Sequence, residues 1–140
     1  MILRPATMDD ANALLAWRND PATRALSHNK ANVEPHVHME WLARSLASPD
    51  RRLLIAERTG VPVGTVRADL SNGVYELSWT VAPQARGQGV AKEMVAMAAA
   101  QIKETIRAQV LRGNEASVQV ALNAGMKLQQ EVGGVLYFER

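Results

Sequence analysis

The reading of the fold turns on residues 74–90: Val74-Tyr75-Glu76-Leu77-Ser78-Trp79-Thr80-Val81-Ala82-Pro83-Gln84-Ala85-Arg86-Gly87-Gln88-Gly89-Val90. The first half alternates as a strand does, with Leu77, Trp79 and Val81 on one face and Glu76 and Ser78 on the other. Ala82-Pro83 closes the strand, and a glycine-bearing loop follows. From Val90 the spacing becomes helical, placing Val90, Met94, Ala98 and Ile102 on one side. A helix start leaves its first backbone N–H groups unpaired, and the helix dipole adds positive charge there. Together they make an anion site suited to phosphate. Gly87 and Gly89 tolerate unusual torsions and let the backbone approach a ligand closely, and Arg86 adds a cation at the rim. Alone, Gly-x-Gly reads equally well as a flexible turn. No Gly-Lys-Ser/Thr follows, so this is not a P-loop, and the Gly-x-Gly-x-x-Gly of dinucleotide folds is incomplete.

Outward from this stretch the pattern stays regular. Residues 52–58 and 62–70 read as strands, the second joined to 74–81 by the turn Ser71-Asn72-Gly73. Ahead of them lie a short strand at 2–4 and two helices. The first, capped by Asp9 or Asp10, carries Ala11, Leu14, Leu15 and Arg18 and is broken by Asn19-Asp20-Pro21. The second runs from Glu34 or Pro35 to Leu46, with Val37, Trp41, Leu42 and Leu46 as its apolar face. Downstream come a strand at 106–111, a helix with Val118, Ala121, Leu122 and Gly125 on one side, and a hairpin of 128–132 and 135–138. Hairpins dominate, so the expected fold is α+β, a mixed, mostly antiparallel central sheet of about six to seven strands flanked by about four helices.

The chain has 140 residues, the size of one compact domain spanning 1–140. It has no cysteine, which excludes disulfides, zinc-thiolate sites and thiol nucleophiles. A net charge of +2, spread along the chain, argues against nucleic-acid binding. The longest apolar stretch, 94–100, is too short to span a membrane. A cytoplasmic protein is expected, monomeric or homodimeric through the edge of the 128–138 hairpin. The histidines are His28, His36 and His38. The last two would diverge by roughly 200° on a helix, so no metal site is expected.

Strand, Pro83, Gln84-Ala85-Arg86-Gly87-Gln88-Gly89 and then a long helix resembles the acetyl-CoA signature of the GNAT superfamily of N-acetyltransferases. The resemblance extends over nearly the whole chain and implies acetyl-CoA as co-substrate. In that family the sheet splays beside the strand matching 74–81, and the pantetheine arm bonds to strand backbone. Carried over, Trp79, Thr80 and Val81 line the arm. Backbone N–H groups of Arg86, Gly87, Gln88, Gly89 and Val90 hold the pyrophosphate, with Gln84 and Ala91 beside them. The family's later Asn-x-x-Ser appears as Asn114-Glu115-Ala116-Ser117, which adds Asn114 and Ser117 to the cofactor site. Asn114 reads equally as a plain N-cap and can serve both purposes. The family commonly has a tyrosine, proposed to protonate the departing thiolate, where this chain has Ala121.

Glu76, on the strand beside the implied cofactor groove, is the candidate base, and Ser78, two residues on, a proton relay or amine-positioning group; the plain reading of Glu76 is a solvated strand carboxylate. A backbone N–H such as that of Val81 would meet the developing oxyanion. Trp17-Arg18-Asn19-Asp20-Pro21-x-x-Arg24 and His38-Met39-Glu40-Trp41-Leu42 resemble a subgroup acting on protein N-termini or on nucleotide-linked amino sugars. This makes Trp17, Arg18, Asn19, Arg24 and His38 candidate acceptor residues, with Arg18 and Arg24 suited to a diphosphate; otherwise Trp17 is core and the arginines are solvated. The expected activity is acetyl transfer to a primary amine of a small molecule, such as a nucleotide-linked amino sugar. The alternatives are a protein N-terminal acetyltransferase and an acyl-CoA-binding sensor of little activity.

Overall fold

The computed structural model describes residues 1–27 and 30–140; His28 lies outside them. Seven strands form one sheet: β1 (Ile2–Pro5), β2 (Arg51–Arg58), β3 (Val61–Ser71), β4 (Val74–Val81), β5 (Thr105–Leu111), β6 (Lys127–Val132) and β7 (Val135–Glu139). Their order is β1-β2-β3-β4-β5-β7-β6. Neighbours are antiparallel except β4 and β5, which run parallel. A parallel pair needs a crossover, and α4 (Val90–Ala100) supplies it. The other helices are α1 (Ala11–Asn19), α2 (Pro21–Ala25), α3 (Pro35–Ala47) and α5 (Glu115–Asn123). No helix among the described residues is long and apolar enough to cross a membrane.

The register divides the side chains between two faces. Ala68, Leu77 and Ala108 are successive cross-strand partners, as are Leu70, Tyr75 and Ile106. They share the face that α4 covers. There Val90, Met94, Val95, Ala98 and Ala99 are all buried, each valine or methionine contributing about 1.5–3 kcal/mol through its burial. Gly64 lets the helix seat: a Cβ there would come within 2.7 Å of Met94 Sδ. The opposite face carries Arg67, Asp69, Glu76, Ser78 and Gln109. α1 and α3 pack over part of it, against β4 and β2, where Ser45 of α3 accepts from Arg51 of β2 at 2.9 Å.

Three sequence expectations change. Asn19-Asp20-Pro21 ends α1 but also starts α2, because the Asp20 carboxylate accepts from Thr23 N at 3.1 Å and caps it. Asp10 does not cap α1 with its side chain. Its carboxylate accepts from both terminal nitrogens of the Arg4 guanidinium, at 2.8 and 2.9 Å, and from Thr7 N at 2.8 Å. Hydrogen bonding from Arg4 holds its pKa below the usual value despite burial. Finally, α3 is rotated from the expected face. Val37 and Leu46 are exposed, while His38, Leu42 and Ser45 are buried. The helical period holds, but it runs through two polar residues whose partners lie on distant segments.

Candidate active site

The first half of the site is backbone. β4 and β5 pair only from Val74–Thr105 to Leu77–Ala108; β4 continues to Val81 and β5 to Leu111. Beyond Leu77 the two strands part. Ala82 N donates to Val63 O at 2.8 Å, so alternation along the antiparallel ladder turns Thr80 and Ser78 toward β3. Trp79 and Val81 therefore direct their N–H and C=O groups into the opening beside β5. Thr80, half-buried, faces Thr65 across the ladder.

At the end of β4 the chain makes a single turn, Pro83–Ala85, and enters the glycine loop. Gly87 and Gly89 have φ of +75° and +73°, and a Cβ at either would meet nothing within 4 Å. Glycine is thus required there for torsion, and the space before the loop is open. Gly89 is the N-cap of α4 and offers no side chain to cap it. The N–H groups of residues 87–92 have no acceptor among the described residues. The N–H of Arg86 is directed instead to Pro83 O at 3.4 Å, and its guanidinium binds Asp20 at 2.5 Å and Thr23 Oγ1 at 3.0 Å. That contact holds the Asp20 carboxyl below its ordinary pKa. Gln84 and Gln88 are exposed, and Gln88 Nε2 donates to Gln84 O at 3.4 Å. Val90 is buried beneath the loop and Ala91 half-buried, so only their backbone can face a ligand. Across the opening, Asn114 caps α5 by accepting from Ser117 N at 3.3 Å. The Trp79 indole reaches α5 and donates from Nε1 to Ser117 Oγ at 3.3 Å. Ala121, one turn further, is fully buried.

The second half is made of side chains on the opposite face. Glu76 and Ser78 are exposed there. Glu76 sits where β4 and β5 still pair and accepts from Gln109 Nε2 at 2.8 Å. Ser78 is the first residue past the parting, cross-strand partner of Arg67. Around Trp41 lie two cavities. One, about 330 Å³, is lined by Trp41, Arg44, Ser45, Arg51 and Asp69 among others. The second, about 300 Å³, is lined by Arg18, Val33, Val37, Trp41 and Arg44 among others. The guanidinium carbons of Arg18 and Arg51 lie 5.4 and 5.9 Å from the Trp41 ring centroid.

These features meet a direct comparison. A family model for the acetyltransferase (GNAT) domain matches residues 1–127. The chain belongs to the GNAT acetyltransferases. It is an acetyl-CoA-dependent N-acetyltransferase, and acetyl-CoA is its co-substrate. A ribosomal-protein-alanine N-acetyltransferase from Brucella melitensis superposes with a TM-score of 0.82 at 25% identity, covering 100% of this chain and 99% of that one. The aminoglycoside acetyltransferase AAC(6')-Ib, solved with coenzyme A and kanamycin, gives 0.85 at 19% identity, with 99% and 92% covered. An N-acetyltransferase from Staphylococcus aureus Mu50 gives 0.81 at 20%, with 99% and 96% covered. The last two likenesses speak to fold alone. Among curated protein sequences nothing matches the chain.

In this acetyltransferase the acceptor candidates from the sequence part company. Trp17 is core, 4% exposed, and presents no surface to a substrate. Asn19 clamps the segment before α3, donating to Val33 O at 2.9 Å and accepting from Val33 N at 2.8 Å. His38 is 1% exposed, stacked on Trp41 at 5.6 Å, with Nε2 3.1 Å from Ala11 O. Burial lowers its pKa. Arg24 is half-buried on α2, with Nε unpartnered. Arg18 remains at a cavity wall. Sequence reasoning missed Arg67 and Gln109. The alternation of β3 and β5 carried the signal, since both residues break into apolar strands on the face of Glu76.

Proposed function

We propose that residues 1–140 work as one acetyltransferase unit that moves the acetyl group of acetyl-CoA directly to a primary amine of a small molecule. The observation that carries this reading is the parting of β4 from β5 beside an uncapped helix start. The N–H groups of residues 87–92 suit a pyrophosphate, and the backbone of Trp79 and Val81 suits the amide-rich arm that follows it. The backbone N–H of Val81 stabilises the oxyanion formed as an amine attacks the thioester carbonyl. A nitrogen–carbon bond forms, the carbon–sulfur bond breaks, and sulfur leaves with the electron pair. The chain has no cysteine, so attack is direct. Glu76, oriented by Gln109, takes the amine proton through water, and Ser78 positions the amine.

The N-terminal motifs favour a nucleotide-linked amino sugar as acceptor. A second reading, a protein N-terminal amine, has its own support in the whole-chain likeness to the ribosomal-protein-alanine enzyme. Thiol release from acetyl-CoA, followed with amino sugars, their nucleotide-linked forms and an alanine-initiated peptide, separates them. Glu76→Gln should lower kcat by about 10²–10⁴-fold. Unchanged turnover would remove Glu76 as the base.

A further inference from the structure

Three carbonyls around the glycine loop find donors within four residues. Pro83 O accepts from Arg86 N, Gln84 O from the Gln88 side chain and Gly89 O from Glu93 N. Gln88 O is different: it accepts from Arg58 Nη1 at 3.2 Å, from 30 residues away. The other terminal nitrogen, Nη2, lies 3.4 Å from Glu93 Oε2 in the first turn of α4. Arg58 thus ties the end of β2 to the start of α4 at two points. Its own place is fixed, because it is the last paired residue of β2, opposite Val61. Between them the turn has only Thr59 and Gly60, with φ of +53° and +78°, the positive values a tight hairpin requires.

A trans peptide unit is planar, and its C=O and N–H point in opposite directions. The unit joining Gln88 to Gly89 is trans, so it turns its C=O toward β2 and its N–H away. That N–H has no acceptor among the described residues. Glycine accepts φ of either sign almost equally, so the torsions of Gly89 alone do not hold this unit one way round. We infer that Arg58 is a positioning residue for cofactor binding: by holding Gln88 O it keeps the Gly89 N–H aimed at the pyrophosphate of acetyl-CoA. Glu93 orients the guanidinium from its other side. The inference rests on the loop reading above and adds the side chain that orients the loop.

The experiment measures CoA affinity by titration calorimetry for the native chain, Arg58→Met, Glu93→Gln and the double variant. The Gly89 amide resonance is followed in isotope-labelled protein of each. Arg58→Met keeps most of the aliphatic stem and removes the donors; Arg58→Gln serves if it fails to fold. In the native chain, saturating CoA should move the Gly89 amide proton downfield, as bonding to a phosphate oxygen does. Arg58→Met should lose about tenfold or more in CoA affinity and most of that shift, and should lose as much in the Glu93→Gln background. Affinity and shift both unchanged in Arg58→Met would overturn the inference and leave the loop reading intact. So would a lower melting temperature with CoA affinity unchanged, which assigns Arg58 to stability alone. A loss that disappears in the Glu93→Gln background also overturns it, because the arginine then only offsets a carboxylate. No shift of Gly89 in the native chain would sink the loop reading itself, and the inference with it.

Discussion

The proposed cofactor cleft and the proposed acceptor face meet along β4 but are made of different materials. The cleft is built of backbone: an interrupted ladder, two glycines at positive φ and a run of free N–H groups. All of it comes from residues 74–92, apart from the Asn114–Ser117 wall. The acceptor face is built of side chains drawn from α1, α3, β2, β3, β4 and β5. A backbone site needs particular torsions and little else, so it recurs wherever the local pattern recurs. A side-chain site depends on which residues the tertiary fold brings together, so it can differ between chains of one fold.

The harshest way to break this contrast is at Gly89. Proline cannot adopt its φ of +73°, so Gly89→Pro should misdirect the N–H groups on either side. Loss of two hydrogen bonds to a charged phosphate costs about 3–6 kcal/mol, which is more than a hundredfold in CoA affinity by titration calorimetry. A change of less than about threefold would mean the loop does not hold the pyrophosphate.

The same contrast explains what could be read from the sequence. All seven strands were legible because their alternation and turns are local, as was the glycine loop. The acceptor layer was read less well. His38 was read as an acceptor candidate, yet it is buried against Trp41 because Ala11 O, 27 residues away, supplies its hydrogen bond, and Ser45 is buried because Arg51 supplies one to it. Asn19, singled out within a substrate motif, turned out to clamp Val33. The short α2 was hidden because Pro21 reads as a break, although proline suits a first helical position. Arg67 shows in the sequence only as a polar residue in the apolar alternation of β3; the sheet register is what sets it opposite Ser78.

Asn19 provides a gentler test. Asn19→Ala removes both hydrogen bonds to Val33, costing about 1–2 kcal/mol of stability in denaturant unfolding. Because Val33 lines the Arg18 cavity, the KM for the amine should rise while CoA affinity stays as it was. An equal effect on both ligands would show that the two halves are not separable in this way. Arg86 is the place to look for such coupling, since its guanidinium binds Asp20 of the N-terminal layer.

The smallest effect belongs to pH. Burial lowers the His38 pKa from 6.5, with the Arg18 charge acting in the same direction and the bond to Ala11 O opposing. The unfolded chain therefore binds more protons between the folded value and 6.5, and stability rises with pH across that window. The contribution is complete above pH 6.5 and is lost as pH falls toward the folded pKa. His38→Gln can keep a donor to Ala11 O but cannot titrate. Thermal midpoints of the native chain and this variant, measured from about pH 8 to pH 5, should run parallel above 6.5, with the native chain falling away faster below it. Parallel curves throughout would mean that His38 is protonated as readily in the fold as outside it. The packing of α3 on α1 would then not exclude the charge.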